Sequence, residues 1–317
     1  MDKFVIQGGK VLNGEVRISG AKNSALALMP ATLLNNGKNV IKNAPEVNDI
    51  FTMGKLLSQL GAVIDFKEHN LVIDTSNIIS QTAPYEHVKK MRASVYVLGP
   101  LLARYGYAKV SLPGGCAWGP RPINLHIEAM KKLGAEIIID EGYIIAKSEK
   151  LHGSKIHFDV SSVGATGNAL MASVLAKGTT LITNAAIEPE IVVLAEYLKS
   201  MGAKINGINS TTLEIEGVDE LNSTTVENIP DRIEAGTILI ASAITKGKVK
   251  ITNSIPAHLN AVLIKLEESG LKLKYENDFV ELDSSSCELN AVDVTTSVFP
   301  GFPTDMQAQW IALMTTR

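Results

Sequence analysis

Leu60-Gly61-Ala62-Val63-Ile64 returns three times along the chain, as Leu133-Gly134-Ala135-Glu136-Ile137, Met201-Gly202-Ala203-Lys204-Ile205 and Ser269-Gly270-Leu271-Lys272-Leu273. Its glycines stand 73, 68 and 68 residues apart. A second series interleaves with it at Gly37, Gly106, Gly178 and Gly247, spaced 69, 72 and 69 residues, each ahead of a strand-like run such as Asn39-Val40-Ile41 or Lys248-Val249-Lys250-Ile251. Asn43, Asn184 and Asn253 open the stretches that follow. A glycine just past a helix accepts the left-handed conformation that closes it, and the β-branched residues after it favour extended backbone. Two series in phase at one period predict a repeat architecture. Each unit of about 70 residues holds two helices that alternate with short strands.

The helices of the second series are unusually apolar. Ala25-Leu26-Ala27-Leu28-Met29 and the run from Ala169 to Ala176 carry almost no polar face, and a helix of that kind is buried rather than laid on a surface. Buried helices with sheets outside them invert the usual barrel; ordinary α/β layers are the alternative. Around Asn13-Gly14, the segment from Lys10 to Ile18 has the pattern of a β-hairpin with Asn-Gly at its turn. A junction is expected near Ile229-Pro230-Asp231, where an X-Pro step precedes a new buried helix.

Composition narrows the function classes. The chain has 317 residues, 45% hydrophobic and 20% charged, with a net charge of −3 and a pI near 6.1, as in a folded globular protein. Without a Lys/Arg block, nucleic-acid binding is not expected. The apolar runs 25–34 and 237–244 are too short to span a bilayer, and no signal-peptide h-region follows Lys3. Cys116 and Cys287 cannot build a disulfide framework or a zinc site by themselves. The expectation is a cytoplasmic protein.

Counting back about 15 residues from each closing glycine of the second series lands on Lys22, Arg92, Val163 and Arg232. These are equivalent positions at helix N-termini, whose free N–H groups and dipole attract anions. Basic residues at three of the four predict anion recognition built from several repeats. The most distinctive loop is Pro113-Gly114-Gly115-Cys116-Ala117-Trp118-Gly119-Pro120-Arg121-Pro122. Its glycines and prolines exclude regular structure, and a cysteine five residues from Arg121 is placed for a lowered pKa and for reactivity. Cys287 lies in a polar stretch without such a setting. In Phe302-Pro303-Thr304-Asp305-Met306-Gln307, Thr304 and Gln307 fit a capping box with Asp305 in the first turn. There is no Walker loop, no dinucleotide-binding glycine motif and no His-Glu-x-x-His; the six scattered histidines indicate no metal site.

In order along the whole chain, these landmarks resemble the UDP-N-acetylglucosamine enolpyruvyl transferase family. They are Ser19-Gly20-Ala21-Lys22-Asn23-Ser24, Met91-Arg92-Ala93-Ser94, Pro113-Gly114-Gly115-Cys116, Arg121-Pro122, Ser162-Val163-Gly164-Ala165-Thr166, Pro230-Asp231-Arg232-Ile233-Glu234 and Phe302-Pro303-Thr304-Asp305-Met306-Gln307. The sister family, 3-phosphoshikimate enolpyruvyl transferase, shares the fold but lacks the reactive-cysteine loop.

The resemblance implies a two-domain inside-out α/β barrel without a cofactor. Residues 22–229 would form one domain of three repeats, and 1–21 with 230–317 a second, incomplete one. Six units would need about 420 residues, so the sequence is expected to stop inside a buried helix of the second barrel. Further substrate arginines would lie beyond it.

The resemblance also implies substrates and roles. UDP-N-acetylglucosamine and phosphoenolpyruvate would react by addition and then elimination of phosphate, opening peptidoglycan synthesis. Lys22 and Arg121 would hold phosphoenolpyruvate with Asn23 nearby, and Arg92 would lie by the sugar nucleotide. The stretches Arg121, Pro122, Ile123, Asn124, Leu125 and Val160, Ser161, Ser162, Val163, Gly164 would cradle the UDP portion. Asp305 would be the general base toward the sugar 3′-hydroxyl. Cys116 would protonate the methylene carbon, or capture the enolpyruvyl group, and would be the target of fosfomycin. Three positions depart from the family: Val160 stands for a frequent Lys, Asn124 for a usual Asp, and Trp118 is bulkier than the common loop residue.

Overall fold

The computed structural model describes residues 3–85, 92–112 and 123–316. The chain divides into two compact units, Gly20–Ile229 and Met1–Ser19 with Pro230–Arg317. The first strand, β1 (Asn13–Arg17), belongs to the second of these.

Within Gly20–Ile229 one pattern recurs three times. The first repeat runs α1 (Lys22–Ala31), β2 (Lys38–Lys42), α2 (Asn48–Leu60), β3 (Val63–Lys67) and β4 (Asn70–Asp74). After β5 (Thr82–Ala83), the second runs α3 (Leu98–Tyr105), β6 (Tyr107–Ser111), α4 (Asn124–Lys132), β7 (Glu136–Asp140) and β8 (Tyr143–Lys147). After β9 (Lys155–His157), the third runs α5 (Val163–Ser173), β10 (Thr179–Thr183), α6 (Pro189–Ser200), β11 (Lys204–Asn206) and β12 (Thr212–Glu216), closed by β13 (Thr225–Glu227). The other unit carries a fourth copy: α7 (Arg232–Ile244), β14 (Lys248–Thr252), α8 (Asn260–Glu268), β15 (Lys272–Glu276) and β16 (Phe279–Asp283), followed by α9 (Gln307–Met314).

Every copy builds a four-stranded sheet of the same topology, β13-β2-β4-β3, β5-β6-β8-β7, β9-β10-β12-β11 and β1-β14-β16-β15. The leading pair of each is parallel and the rest antiparallel. The two central strands of each sheet bury alternate residues, as in Lys38–Lys42 and Thr212–Glu216, so each sheet turns one face to the helices. Between the sheets of Gly20–Ile229 lie α1, α3 and α5. Ser24 to Ala31 and Ala165 to Ser173 are buried throughout, which is the helix-inside arrangement that their composition predicts. Leu28, Met29, Leu101, Leu170 and Met171 belong to that core and are fully buried. In the other unit α7 buries Ala235, Gly236, Leu239, Ile240, Ser242 and Ala243 and leaves its other face half-buried. There it packs against one sheet and α9.

The repeat glycines behave as their position demands. Gly61, Gly134, Gly202 and Gly270 all have positive φ, between 92° and 114°. Gly247 is the exception, because Lys246 takes the left-handed turn at φ 54°. Glycine is required there for space, since a Cβ would meet the Leu12 carbonyl oxygen at 1.9 Å. Asn43, Asn184 and Asn253 are left-handed too, a conformation asparagine tolerates well. Their amides donate to the carbonyls of Asn228, Phe158 and Ile18 at 3.0, 2.7 and 2.7 Å, tying down the chain just past the parallel neighbour strand in three of the sheets.

The expected hairpin is corrected. Asn13-Gly14 starts a strand paired in parallel with Lys248–Thr252, and Asn13 Oδ1 accepts from the Lys248 amide at 2.8 Å. Partners 235 residues away satisfy this backbone, so no local return strand is formed.

Candidate active site

The four equivalent basic or helix-opening positions are all first residues of helical segments. Lys22 opens α1, Arg92 the 3-10 helix Arg92–Val97, Val163 α5 and Arg232 α7. Such ends present unpaired N–H groups. The Lys22 ammonium lies 3.3 Å from the Asp49 carboxylate, both side chains about two-fifths exposed. Asn23 is exposed beside it. The 3-10 helix packs against both α1 and α5, and α5 packs against α4.

Three sequence-predicted segments therefore meet around the start of α5. Ser162 is its N-cap and accepts from the Ala165 amide at 3.3 Å. Ser161, Val163 and Gly164 are half-buried, whereas Val160 is exposed. The Tyr96 hydroxyl donates to the Val163 carbonyl at 3.3 Å. Ile123 is the residue ahead of α4, Asn124 its exposed first residue and Leu125 its half-buried second. The next residue, His126, is buried beside Gly164. Cys116, Trp118, Arg121 and Pro122 lie outside the described residues.

The other unit presents its own constellation. Asp231 caps α7, its Oδ1 accepting from the amides of Ile233 and Glu234 at 2.8 and 3.1 Å. Glu234 in turn accepts from the Ser19 amide at 2.8 Å and its hydroxyl at 3.1 Å. The Arg232 guanidinium lies 5.8 Å over the Phe299 ring. Burial, and secondarily the charge of Arg232, hold the His258 imidazole below its ordinary pKa. Asp305 is exposed on the single turn Thr304–Met306. Buried Met306 anchors that turn against Gly236, where a Cβ would lie 2.7 Å from the methionine methyl. Phe302 and Trp310 pack edge to face at 5.4 Å beneath it.

The capping box expected of Thr304 and Gln307 is not formed. Pro303 occupies the cap position of the turn, the Met306 amide donates to the Pro303 carbonyl at 3.0 Å, and α9 begins at Gln307 without a side-chain cap. The turn is held by Met306 burial instead. Among the described residues no cluster of His, Cys, Asp and Glu could hold a metal ion, and no helix is long and apolar enough to cross a membrane. Sequence reading passed over Tyr96, Asn168 and Asp49. The one amide side chain in a largely apolar buried helix was the available signal for Asn168.

Comparison with known proteins fits these landmarks. The family of EPSP synthase (3-phosphoshikimate 1-carboxyvinyltransferase) matches residues 6–317. The UDP-N-acetylglucosamine 1-carboxyvinyltransferase of Chloroherpeton thalassium is 58% identical over 99% of this chain and 74% of its own length. That of Chlorobium luteolum is 55% identical over 99% of this chain and 75% of its own length. Among solved structures, the enolpyruvyl transferase NikO from Streptomyces tendae superposes with a TM-score of 0.86 at 23% identity, over 98% of this chain and 74% of that one. An EPSP synthase from Acinetobacter baumannii gives 0.70 at 18% identity, over 90% and 67%. The solved structures share the fold, and identities above one half across nearly the whole chain narrow the choice within it. This chain belongs to the EPSP synthase family of enolpyruvyl transferases and, within it, to the UDP-N-acetylglucosamine 1-carboxyvinyltransferases.

Proposed function

We propose that this chain transfers the enolpyruvyl group of phosphoenolpyruvate to the 3′-hydroxyl of UDP-N-acetylglucosamine with release of phosphate. The reaction would be the first committed step of peptidoglycan biosynthesis, taking place in the cytoplasm and serving cell-wall growth, cell shape and division. The observation that carries the reading is 58% identity over 99% of the chain to a relative bearing that name. No cofactor is invoked.

In this reading Lys22 and Arg121 neutralise phosphoenolpyruvate, assisted by Asn23, and Arg92 lies by the sugar nucleotide. Residues 121–125 and 160–164 cradle the UDP portion with the N–H groups of two helix starts. Asp305 accepts the proton of the 3′-hydroxyl as its oxygen bonds to C2 of the enolpyruvyl unit. Cys116 delivers a proton to the methylene carbon to form the tetrahedral adduct, and loss of that proton and of phosphate regenerates the double bond. Closure of the cysteine loop would exclude water and strengthen the charge contacts.

The test is phosphate release by the 317-residue chain with phosphoenolpyruvate and either UDP-N-acetylglucosamine or shikimate 3-phosphate. Release with UDP-N-acetylglucosamine as the acceptor, and not with shikimate 3-phosphate, would support the proposed reaction. Release with the shikimate ester would favour the sister reaction, and nucleotide binding without release would favour a non-catalytic UDP-sugar-binding protein. Fosfomycin should add its mass at Cys116; an unchanged intact mass would refute the assigned thiol reactivity.

A further inference from the structure

Asn168 sits in the middle of α5, fully buried, between Gly167 and Ala169. A buried amide is costly unless its polar atoms are paired, and each of these partners is distant in sequence. Oδ1 accepts from the Gly99 amide at 2.8 Å, while Nδ2 donates to the Val95 carbonyl at 2.8 Å and to Nδ1 of His126 at 2.9 Å. The two backbone partners settle the orientation, because an N–H can only donate and a carbonyl can only accept. The second N–H of Nδ2 thus points at a ring nitrogen that must accept it. His126 is thereby held as the tautomer with its proton on Nε2.

The opposite edge of that ring meets the helix start. A Cβ on Gly164 would lie 3.1 Å from both Nε2 and Cε1 of His126, so the imidazole fills the space beside this glycine. Tyr96 adds a second brace through its 3.3 Å bond to the Val163 carbonyl. Its ring leaves no room for a side chain at Gly167, where a Cβ would approach Cε1 to 2.7 Å. One residue on the third repeat therefore joins the 3-10 helix of Arg92, the start of α4 and the start of α5.

We propose that Asn168 is a positioning residue for sugar-nucleotide binding, setting through His126 and Val95 the spacing of segments 92–97, 123–126 and 162–164. The inference rests on the function proposed above, which assigns the UDP portion to those segments. Its consequence is selective. Displacing backbone donors by a fraction of an ångström weakens what they hold, while α1 with Lys22 and Asn23 makes none of these bonds.

The experiment is calorimetric binding of UDP-N-acetylglucosamine, with KM for both substrates, in the wild type, Asn168→Asp and Tyr96→Phe, alongside melting curves and 15N spectra of the His126 ring. Asn168→Asp sets a carboxylate against Nδ1 and should move the ring proton there. About tenfold weaker nucleotide binding is expected for it and about threefold for Tyr96→Phe, with a smaller change in KM for phosphoenolpyruvate, because Lys22 and Asn23 on α1 stay in place. A lower melting temperature with undiminished nucleotide affinity in both variants would reduce the network to a structural role and overturn the proposal. A wild-type ring protonated on Nδ1 would overturn it as well. If Asn168→Asp does not fold, Tyr96→Phe decides by the same criterion. A wild-type chain with no affinity for the nucleotide overturns the proposed function first and this inference with it.

Discussion

Asp231→Ala should cost the unit that contains it about 1.5–2 kcal/mol. The residue is extended, at φ −78° and ψ 104°, and its Oδ1 pairs with two of the four amides that α7 leaves open. Both bonds are short, 2.8 and 3.1 Å. Loss of an N-cap side chain costs about 0.5–2 kcal/mol, and two good bonds place this cap in the upper part of that range. The carboxylate also faces the positive end of the helix, worth about 0.3–1 kcal/mol. Asp231→Asn keeps the acceptor and loses only the charge, so it should cost only that smaller amount. Ser162→Ala, which removes a single 3.3 Å bond without a charge, should cost about 0.5 kcal/mol. The assay is urea unfolding followed by the fluorescence of buried Trp310 in a Trp118→Phe background. With a slope of about 1–3 kcal/mol per molar urea, Asp231→Ala should move the midpoint down by about 0.5–2 M. Equal losses for Asp231→Asn and Asp231→Ala would show that charge rather than acceptor geometry acts. A loss below about 0.3 kcal/mol for the alanine would refute the cap altogether.

Two further outcomes follow from charged and titratable side chains, one in each unit. Asp49→Asn removes a carboxylate 3.3 Å from the Lys22 ammonium, and an exposed pair of this kind contributes about 1 kcal/mol or less to stability. Melting should hardly change, whereas KM for phosphoenolpyruvate should fall about two- to fivefold at low salt; a rise would mean that Asp49 instead aims Lys22. His258 has its pKa lowered first by burial and then by Arg232, and its buried Nδ1 has no hydrogen-bond partner among the described residues. The unfolded chain therefore takes up a proton that the fold resists, so stability drops as pH falls through about 6.5. His258→Gln should flatten that part of the stability–pH curve between pH 5 and 7, and an unchanged slope would remove His258 from the account.

What the sequence determined by itself is local. The left-handed glycines that end the helices and the helix starts at Lys22, Val163 and Arg232 depend on neighbours within a turn of chain, and their recurrence along the sequence made the repeat legible. The buried inner helices were legible as well, because α1 and α5 lack a polar face. Tertiary structure decided the rest. Asn13-Gly14 has the chemistry of a tight turn, but its backbone found a parallel partner at Lys248, which no local pattern encodes. Thr304 has the chemistry of a cap, but burial of Met306 against Gly236 fixed the turn first. Asn168 reads as a misplaced polar residue until Gly99, Val95 and His126, each more than 40 positions away, converge on its amide. Hydrogen bonds between distant segments are satisfied only when the whole unit closes, because a buried polar group accepts whichever partner packing brings to it.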